Sequence, residues 1–372
     1  MSVRALLIGP KEVLRRPGRF VVTAAALGLL VALQLVLWGL LDGLTASTTG
    51  AYRALRADAI VYGPASRASL LRSQVAPDLR AEVEAVQGVG STAGLGVALA
   101  WGRLQGSPRT LDLAVFGYEA ETRYLPPPPP RGSAYADRSL EDEGVRGGDV
   151  IEVGPARVPV VVTGWVEAAS YLGQPALWVD AETWRQVLAT AAPDRTLPEG
   201  VWQALLVDVP GEVGGDADGL AARIRREVRA EAYTLDEAIS RLPGVEAQRG
   251  SFLQLIGATT LVAALVVALF FVLITLERVR LFGVLKAVGI PSPVLLGSLA
   301  LQALALTGAA YLLGVSGAVI LAQAAPADVP IQLLASRIIW MAPVSAGTAL
   351  VGVATSFRRV VRIDPATAVV GR

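Results

Sequence analysis

The chain has 372 residues, of which 53% are hydrophobic and 17% charged, with mean hydropathy +0.51 and a formal charge of +1. That balance is too apolar for an ordinary soluble chain unless the excess is gathered into a few segments. With no cysteine and no histidine, disulfide frameworks, zinc centres and histidine-based triads have no residues to stand on.

In chain order, residues 1–19 read as a basic amphipathic lead-in, with Arg4, Lys11, Arg15, Arg16 and Arg19 against Glu12. Two roles stay open for it: resting on lipid through Leu6, Leu7, Val13 and Leu14, or simply supplying topogenic charge. Residues 20–41 form the first apolar run, long enough to cross a bilayer and longer than the ~7–15 residues of a signal-peptide core, so an uncleaved anchor is expected. Within it Gln34 is polar. Such a side chain in hydrocarbon serves more often as a helix-to-helix contact than as a substrate ligand, and Gln34 is a candidate for either.

Residues 42–251 are of mixed polarity and long enough for one or two small domains. Residues 51–55 are expected to prolong the first helix as a stalk, and "DAIVYG" reads as a strand. "VAPDLRAEVEAVQGV" reads as a helix opened by Pro77 and closed by Gly88, and "STAGLGVALAWGRL" and "RTLDLAVFGYE" as two further strands, a β-α-β-β unit. Five consecutive prolines, Pro126 to Pro130, predict an extended spacer at the domain's edge. Beyond them short β-rich runs predict a small all-β insertion over about 133–192. After it come a strand in "WQALLVDVP", an amphipathic helix in "DADGLAARIRREVRA", and a stalk descending from "LDEAISRLPGVEAQRGS".

Residues 252–276 form a second crossing without a charge. Residues 277–292 then read as a short amphipathic helix, with Leu281, Leu285 and Val288 on one face, charges at Arg278, Arg280 and Lys286, and Gly289 and Pro291 as stop signals. Crossings three (293–322) and four (338–357) follow, with Gly308, Gly314, Gly317, Gly347 and Gly352 as small residues suited to close helix contact. Residues 358–372 are a basic tail. The lead-in, the 277–292 loop and the tail all carry positive excess, so a chain summing to +1 must be acidic between the first two crossings. By the positive-inside tendency, both termini and that loop are expected in the cytoplasm of a multi-pass cytoplasmic-membrane protein, with the large domain outside.

No phosphate-cradling G-x-x-x-x-G-K-[ST] occurs; "GVGSTAGLG" has no lysine. Glu141 and Glu143 lie in a polar connection and read as solvated. The arginines of "RIRREVRAE" alternate with Glu on an acidic domain, so no nucleic-acid partner is expected, and neither is a catalytic or metal site.

One crossing, a large outer domain, three crossings, the motif "LERVRLFGVLKAVGIPSPVL" and the closing "RIDPATAVV" together resemble the MacB/FtsX/LolC mechanotransmission class of ABC transporter permeases. The loop "GWVEAASYLGQPALWVDAETWRQV" and the compact length look most similar to the short DevC/HrtB branch. The resemblance implies an α-helical membrane protein with four transmembrane helices and an extracytoplasmic α+β domain, made of a porter-like α/β subdomain with a β-rich insertion. It implies ATP and magnesium bound by a separate cytoplasmic ATPase dimer and no cofactor in this chain. A second permease copy, membrane lipids and an adaptor protein are the further partners it suggests. ATPase docking would fall to Glu277, Arg278, Arg280, Leu281, Phe282, Gly283, Leu285, Lys286, Ala287, Val288 and Gly289.

The implied activity is export of a hydrophobic or amphiphilic substrate, and the alternative is an FtsX-like regulator of an enzyme outside that transports nothing. Haem is a candidate substrate by the HrtB likeness. Without His or Cys its axial ligation would fall to residues such as Tyr52, Tyr171 or Glu167, and with Gln34 these complete the candidate substrate residues.

Overall fold

The computed structural model describes residues 17–55, 57–119, 126–210, 216–242, 245–277, 284, 288, 291–326 and 329–361. In chain order, α1 (Pro17–Leu55) leads to β1 (Ala59–Tyr62), α2 (Pro77–Glu84), β2 (Ser91–Leu104) and β3 (Thr110–Tyr118). β4 (Ser133–Asp137), β5 (Val150–Val153), β6 (Val158–Val166), β7 (Ala176–Asp180) and α3 (Ala181–Ala191) follow. Then come β8 (Ala204–Asp208), α4 (Ala217–Glu227), β9 (Glu231–Thr234) and α5 (Leu235–Arg241). Three long helices end the chain: α6 (Val245–Glu277), α7 (Ser292–Ala324) and α8 (Ala335–Val361). The chain divides into two compact units, Met1–Gly43 with Gly250–Arg372, and Leu44–Arg249.

Among the described residues four helices are long and apolar enough to span a membrane, the first of them running on past the first unit. α1 has 39 residues and is therefore ~58 Å long at ~1.5 Å per residue, well beyond a hydrocarbon layer of ~30 Å. Lipid offers no hydrophobic drive for helices to associate, so close fit must do it. α1 and α7 approach at two glycines: a Cβ on Gly314 would lie 2.6 Å from Val31 Cβ, and one on Gly28 3.0 Å from the Ala310 carbonyl oxygen. Gly317 faces Ala32, and Gly352 on α8 packs on Val267 and Ala268 of α6, whereas Gly308 and Gly347 have open space beside them. Of the small residues expected at helix contacts, then, Gly314, Gly317 and Gly352 are in one within the chain.

In the second unit nine strands form one sheet in the order β3-β7-β4-β6-β5-β2-β8-β1-β9, and β2 pairs with β3 as well. That extra pairing closes β2, β3, β7, β4, β6 and β5 into a ring, in which β3–β7 and β4–β6 run parallel and the other pairs antiparallel. Alternate residues fill the barrel, among them Leu113, Val115, Ile151, Val153, Val160, Val162, Leu177 and Val179. β2 is the strand common to both halves: residues 102–104 pair with β5, and residues 91–95 with β8, which carries the sheet on to β1 and β9. Against that extension pack α2 and α4, burying Val83, Leu220, Ala221 and Ile224 on Ala59, Val61, Leu205 and Val207.

The β-rich stretch expected over 133–192 holds β4 to β7, but it is not all-β: it ends in α3, whose start is capped by Asp180 accepting from Glu182 and Thr183 N–H, and its strands close their ring only together with β2 and β3. The stretch expected as a stalk before the second crossing begins with the short α5, capped by Thr234, and its last residues belong to α6.

The glycines of "GVGSTAGLG" have a packing role. Trp184 and Trp202 stack with ring centroids 5.2 Å apart, and a Cβ on Gly94 would come within 2.2 Å of Trp202, one on Gly96 within 2.0 Å of Trp184, and one on Gly117 within 2.3 Å of Trp184. The two indoles therefore lie in slots left by absent side chains. Gly96→Ala should destabilise the chain by ~1–3 kcal/mol, the usual cost of overpacking, and thermal unfolding followed by tryptophan fluorescence will show it.

Candidate functional site

The feature that ties a membrane-length helix to a folded domain is the far end of α1. Residues 44–55 belong to the sheet unit, yet "LTASTTG" is a poor helix sequence by composition. Its hydroxyls are satisfied inside the helix: Ser47 and Thr48 donate to the Leu44 carbonyl at 3.1 and 2.7 Å, and Thr49 to that of Thr45 at 2.7 Å. The helix surface there is free to receive another strand of backbone.

Residues 168–174 occupy it. Leu172 N–H donates to the Thr48 carbonyl (3.1 Å), Gly173 N–H to that of Ser47 (3.0 Å), and Ala51 N–H to that of Ser170 (2.8 Å). Backbone comes this close because residue 50 is glycine: a Cβ there would lie 2.1 Å from the Ala168 carbonyl oxygen. The arriving segment is a tight turn in which Tyr171 and Gln174 exchange N–H···O bonds of 2.8 and 3.0 Å, with φ of 51° at Leu172 and 81° at Gly173, as a two-residue primed turn requires. Ala168 also has positive φ, 46°, and left-handed backbone costs a non-glycine residue ~1–2 kcal/mol. Three main-chain bonds at ~0.5–1.5 kcal/mol each are of the same size, so the turn holds because the side chains behind it are buried. Ser170 Oγ donates to Asp137 Oδ2 at 2.8 Å, and the other carboxylate oxygen accepts from Ser139 N–H at 3.0 Å.

Behind the turn lies an aromatic core. Tyr52 stacks on Tyr171 (5.9 Å), Phe116 meets Tyr171 edge-on (5.4 Å) and stacks on Trp178 (4.5 Å), and Tyr62 Oη donates to Tyr52 Oη at 3.0 Å. Tyr52 is wholly buried and Tyr171 nearly so. Burial pushes both phenols well above their ordinary range.

Of the four residues the sequence singles out for substrate, the structure therefore brings two together, Tyr52 and Tyr171, as core packing around the clamp. A tyrosinate ligand at either position would have to ionise inside that core. Glu167 is exposed and pairs with Arg138 at 2.9 Å. Gln34 lies in the first unit, where its Nε2 donates to Thr260 Oγ1 on α6 at 3.0 Å, a helix-to-helix contact. None of the four lines the cavities of about 380, 520 and 250 Å³ in the sheet unit. The sequence marks the 168–174 stretch through its family likeness and Tyr171, but neither Gly50 nor its meeting with the "YLGQ" turn; a glycine inside a helix is the local signal of such a close approach.

Residues 255–365 match the FtsX-like permease C-terminal family. Over 372 aligned residues, 95% of this chain and 96% of the other, the chain is 28% identical to an uncharacterised ABC transporter permease of Mycobacterium tuberculosis. It is 33% identical over 110 residues, 30% of this chain and 31% of the other, to HrtB of Staphylococcus haemolyticus, by name a hemin transport system permease. The chain is thus similar along nearly its whole length to ABC transporter permeases, with an FtsX-like C-terminal part. A solved structure, the periplasmic region of MacB from Actinobacillus actinomycetemcomitans, is similar at TM-score 0.33 and 11% identity, covering 52% of this chain and 95% of that one.

The docking residues expected between the second and third crossings lie almost wholly outside the described residues: Arg278, Arg280, Leu281, Phe282, Gly283, Leu285, Lys286, Ala287 and Gly289. Glu277 ends α6. Val284 and Val288 are described, joined by a Val288 N–H bond to the Val284 carbonyl at 3.0 Å, one helical turn, and both are exposed.

Gly50→Ala should lift residues 168–174 off α1. Loss of two or three bonds of ~1 kcal/mol each predicts that their amides exchange hydrogen ~10- to 100-fold faster, with the barrel amides unchanged; hydrogen exchange with mass spectrometry reads both.

Proposed function

We propose that this permease is the membrane subunit of an ABC-type efflux or mechanotransmission complex. ATP is hydrolysed by a separate cytoplasmic subunit, and the resulting displacement is passed along the membrane helices to the folded domain. The observation that carries the reading is α1 itself, one unbroken helix whose apolar part is long enough to span a bilayer and whose last residues are held by the turn at 168–174. A helix is stiff along its axis, so a push or tilt at one end is delivered at the other. Positive charge on the lead-in, the 277–292 loop and the tail supports a cytoplasmic position for them and an outer one for the domain. The chain has no phosphate loop, so the nucleotide chemistry falls to a partner.

On this reading the segment 277–292 docks on the ATPase through Leu281, Leu285 and Val288, with Phe282 beside them, and two permease copies complete the complex. Export of a hydrophobic or amphiphilic substrate is the output, with haem a candidate because of the HrtB relative.

Leu285→Asp and Phe282→Asp test the docking face. Each should weaken permease-stimulated ATP hydrolysis by about tenfold or more, because truncating or charging a buried anchor costs ~2–4 kcal/mol and about 1.4 kcal/mol is already tenfold. Membrane insertion should be unaffected. Stimulation equal to that of the unsubstituted permease would remove the docking role. Haem is tested separately by titrating hemin into the purified complex: a shifted Soret band and a rise in ATPase rate are expected, and neither occurring would exclude it.

A further inference from the structure

Around residues 38–43, within the membrane unit, α1 meets the connection between α7 and α8. Gln332 N–H donates to the Gly39 carbonyl at 2.9 Å. A Cβ on Gly43 would stand 1.7 Å from the Pro330 carbonyl oxygen, and one on Gly39 3.0 Å from Leu333 and 3.1 Å from Ile331. Arg337, in the first turn of α8, then makes a bidentate pair with Asp42: Nε to Oδ2 at 2.9 Å and Nη2 to Oδ1 at 3.0 Å. The same guanidinium lies over the Trp38 ring, its carbon 4.1 Å from the centroid.

This is a specific joint. A planar guanidinium can bind both carboxylate oxygens and stack on an indole at once, which an ammonium cannot. The Asp42 side chain is 14% exposed while that of Arg337 is 42% exposed, so the carboxylate is mostly covered and the guanidinium partly open, and an Asp42 left without its partner would be costly to keep there. The joint also closes a circuit. α1 is fitted to α7 at Gly28 and Gly314, and α7 to α8 by Tyr311 Oη donating to the Ile338 carbonyl. α6 is held less: it meets α1 through Gln34 and Thr260 and α8 at Gly352, but from residue 250 to 277 only Ile256 and Val267 are buried among its described side chains.

We propose that Asp42, Arg337 and Trp38 form a latch that holds α1, α7 and α8 as one block, so that movement within the membrane unit takes place at α6. The latch stands on the geometry alone; its part in a working cycle rests on the reading under Proposed function.

The chain has no cysteine, so spin labels attach only where a cysteine is introduced. With labels at L33C and I339C on the full chain in lipid nanodiscs, one narrow distance distribution is expected. Asp42→Ala and Arg337→Ala should each broaden it about twofold, and the double substitution no further, since the two side chains act as a unit. The L33C–L312C pair, spanning the glycine crossing, should stay narrow in every variant and so reports a folded bundle. An L33C–I339C distribution that stays narrow in both single variants overturns the latch. In the complex with its ATPase, ATP and vanadate should shift the L33C–L261C distance, which spans α1 and α6, and leave L33C–I339C unchanged. An equal shift in both pairs overturns the block. No nucleotide response in any pair, together with broadening in the alanine variants, keeps the latch and removes the ATP-coupled reading instead.

Discussion

The seating of the far end of α1 in the sheet unit turns on a close approach: the Ala168 carbonyl oxygen sits where a Cβ on Gly50 would have to be. A helix surface is normally covered by side chains that keep other backbones several ångströms away. Removing one side chain lets a turn lie against the helix and bond to Ser47, Thr48 and Ala51 directly. Main-chain bonds of this kind do not depend on rotamers. They fix the turn in both rotation and translation on residues 47–51 of α1.

The turn is carried by the closed ring of β2, β3, β7, β4, β6 and β5. Closure removes free strand edges, and the turn at 168–174 sits between two ring strands, β6 and β7. The aromatic residues that back the turn, Phe116 and Trp178, are carried by ring strands, and Tyr52 of α1 joins them. Packing is tight enough that indoles occupy the places of missing side chains at Gly94, Gly96 and Gly117. The polar groups around them are drawn in as well: Glu119 accepts from Trp202 Nε1 at 3.1 Å and pairs with Arg80 at 2.7 Å.

The membrane unit follows a different rule. Its helices gain little from hiding apolar surface from lipid that is equally apolar, so contact is made where glycine permits close approach and where polar groups find each other, as Gln34 finds Thr260 and Arg337 finds Asp42. Exposed leucines along α6 such as Leu261, Leu265 and Leu269 are ordinary for a surface solvated by hydrocarbon.

The sequence by itself determined the parts whose physics is local. Long uncharged runs identify membrane helices because bilayer thickness sets their length, and Pro77 with Gly88, or the alternation in "DAIVYG", mark elements by backbone preference. The loop motif and tail carry a resemblance to ABC transporter permeases. Only the tertiary structure decided what depends on residues far apart in the chain. Ring closure hangs on β2 pairing with strands on both sides, which periodicity within β2 cannot reveal. Tyr52 and Tyr171 look like free polar aromatics until burial stacks them together. Gly50 carries no sign of what it meets until Ala168, more than a hundred residues later, arrives beside it, and Asp42 and Arg337, 295 positions apart, carry no sign of pairing until folding sets them against each other. In each case the deciding quantity is the distance between groups that the linear order keeps apart, and only packing sets that distance.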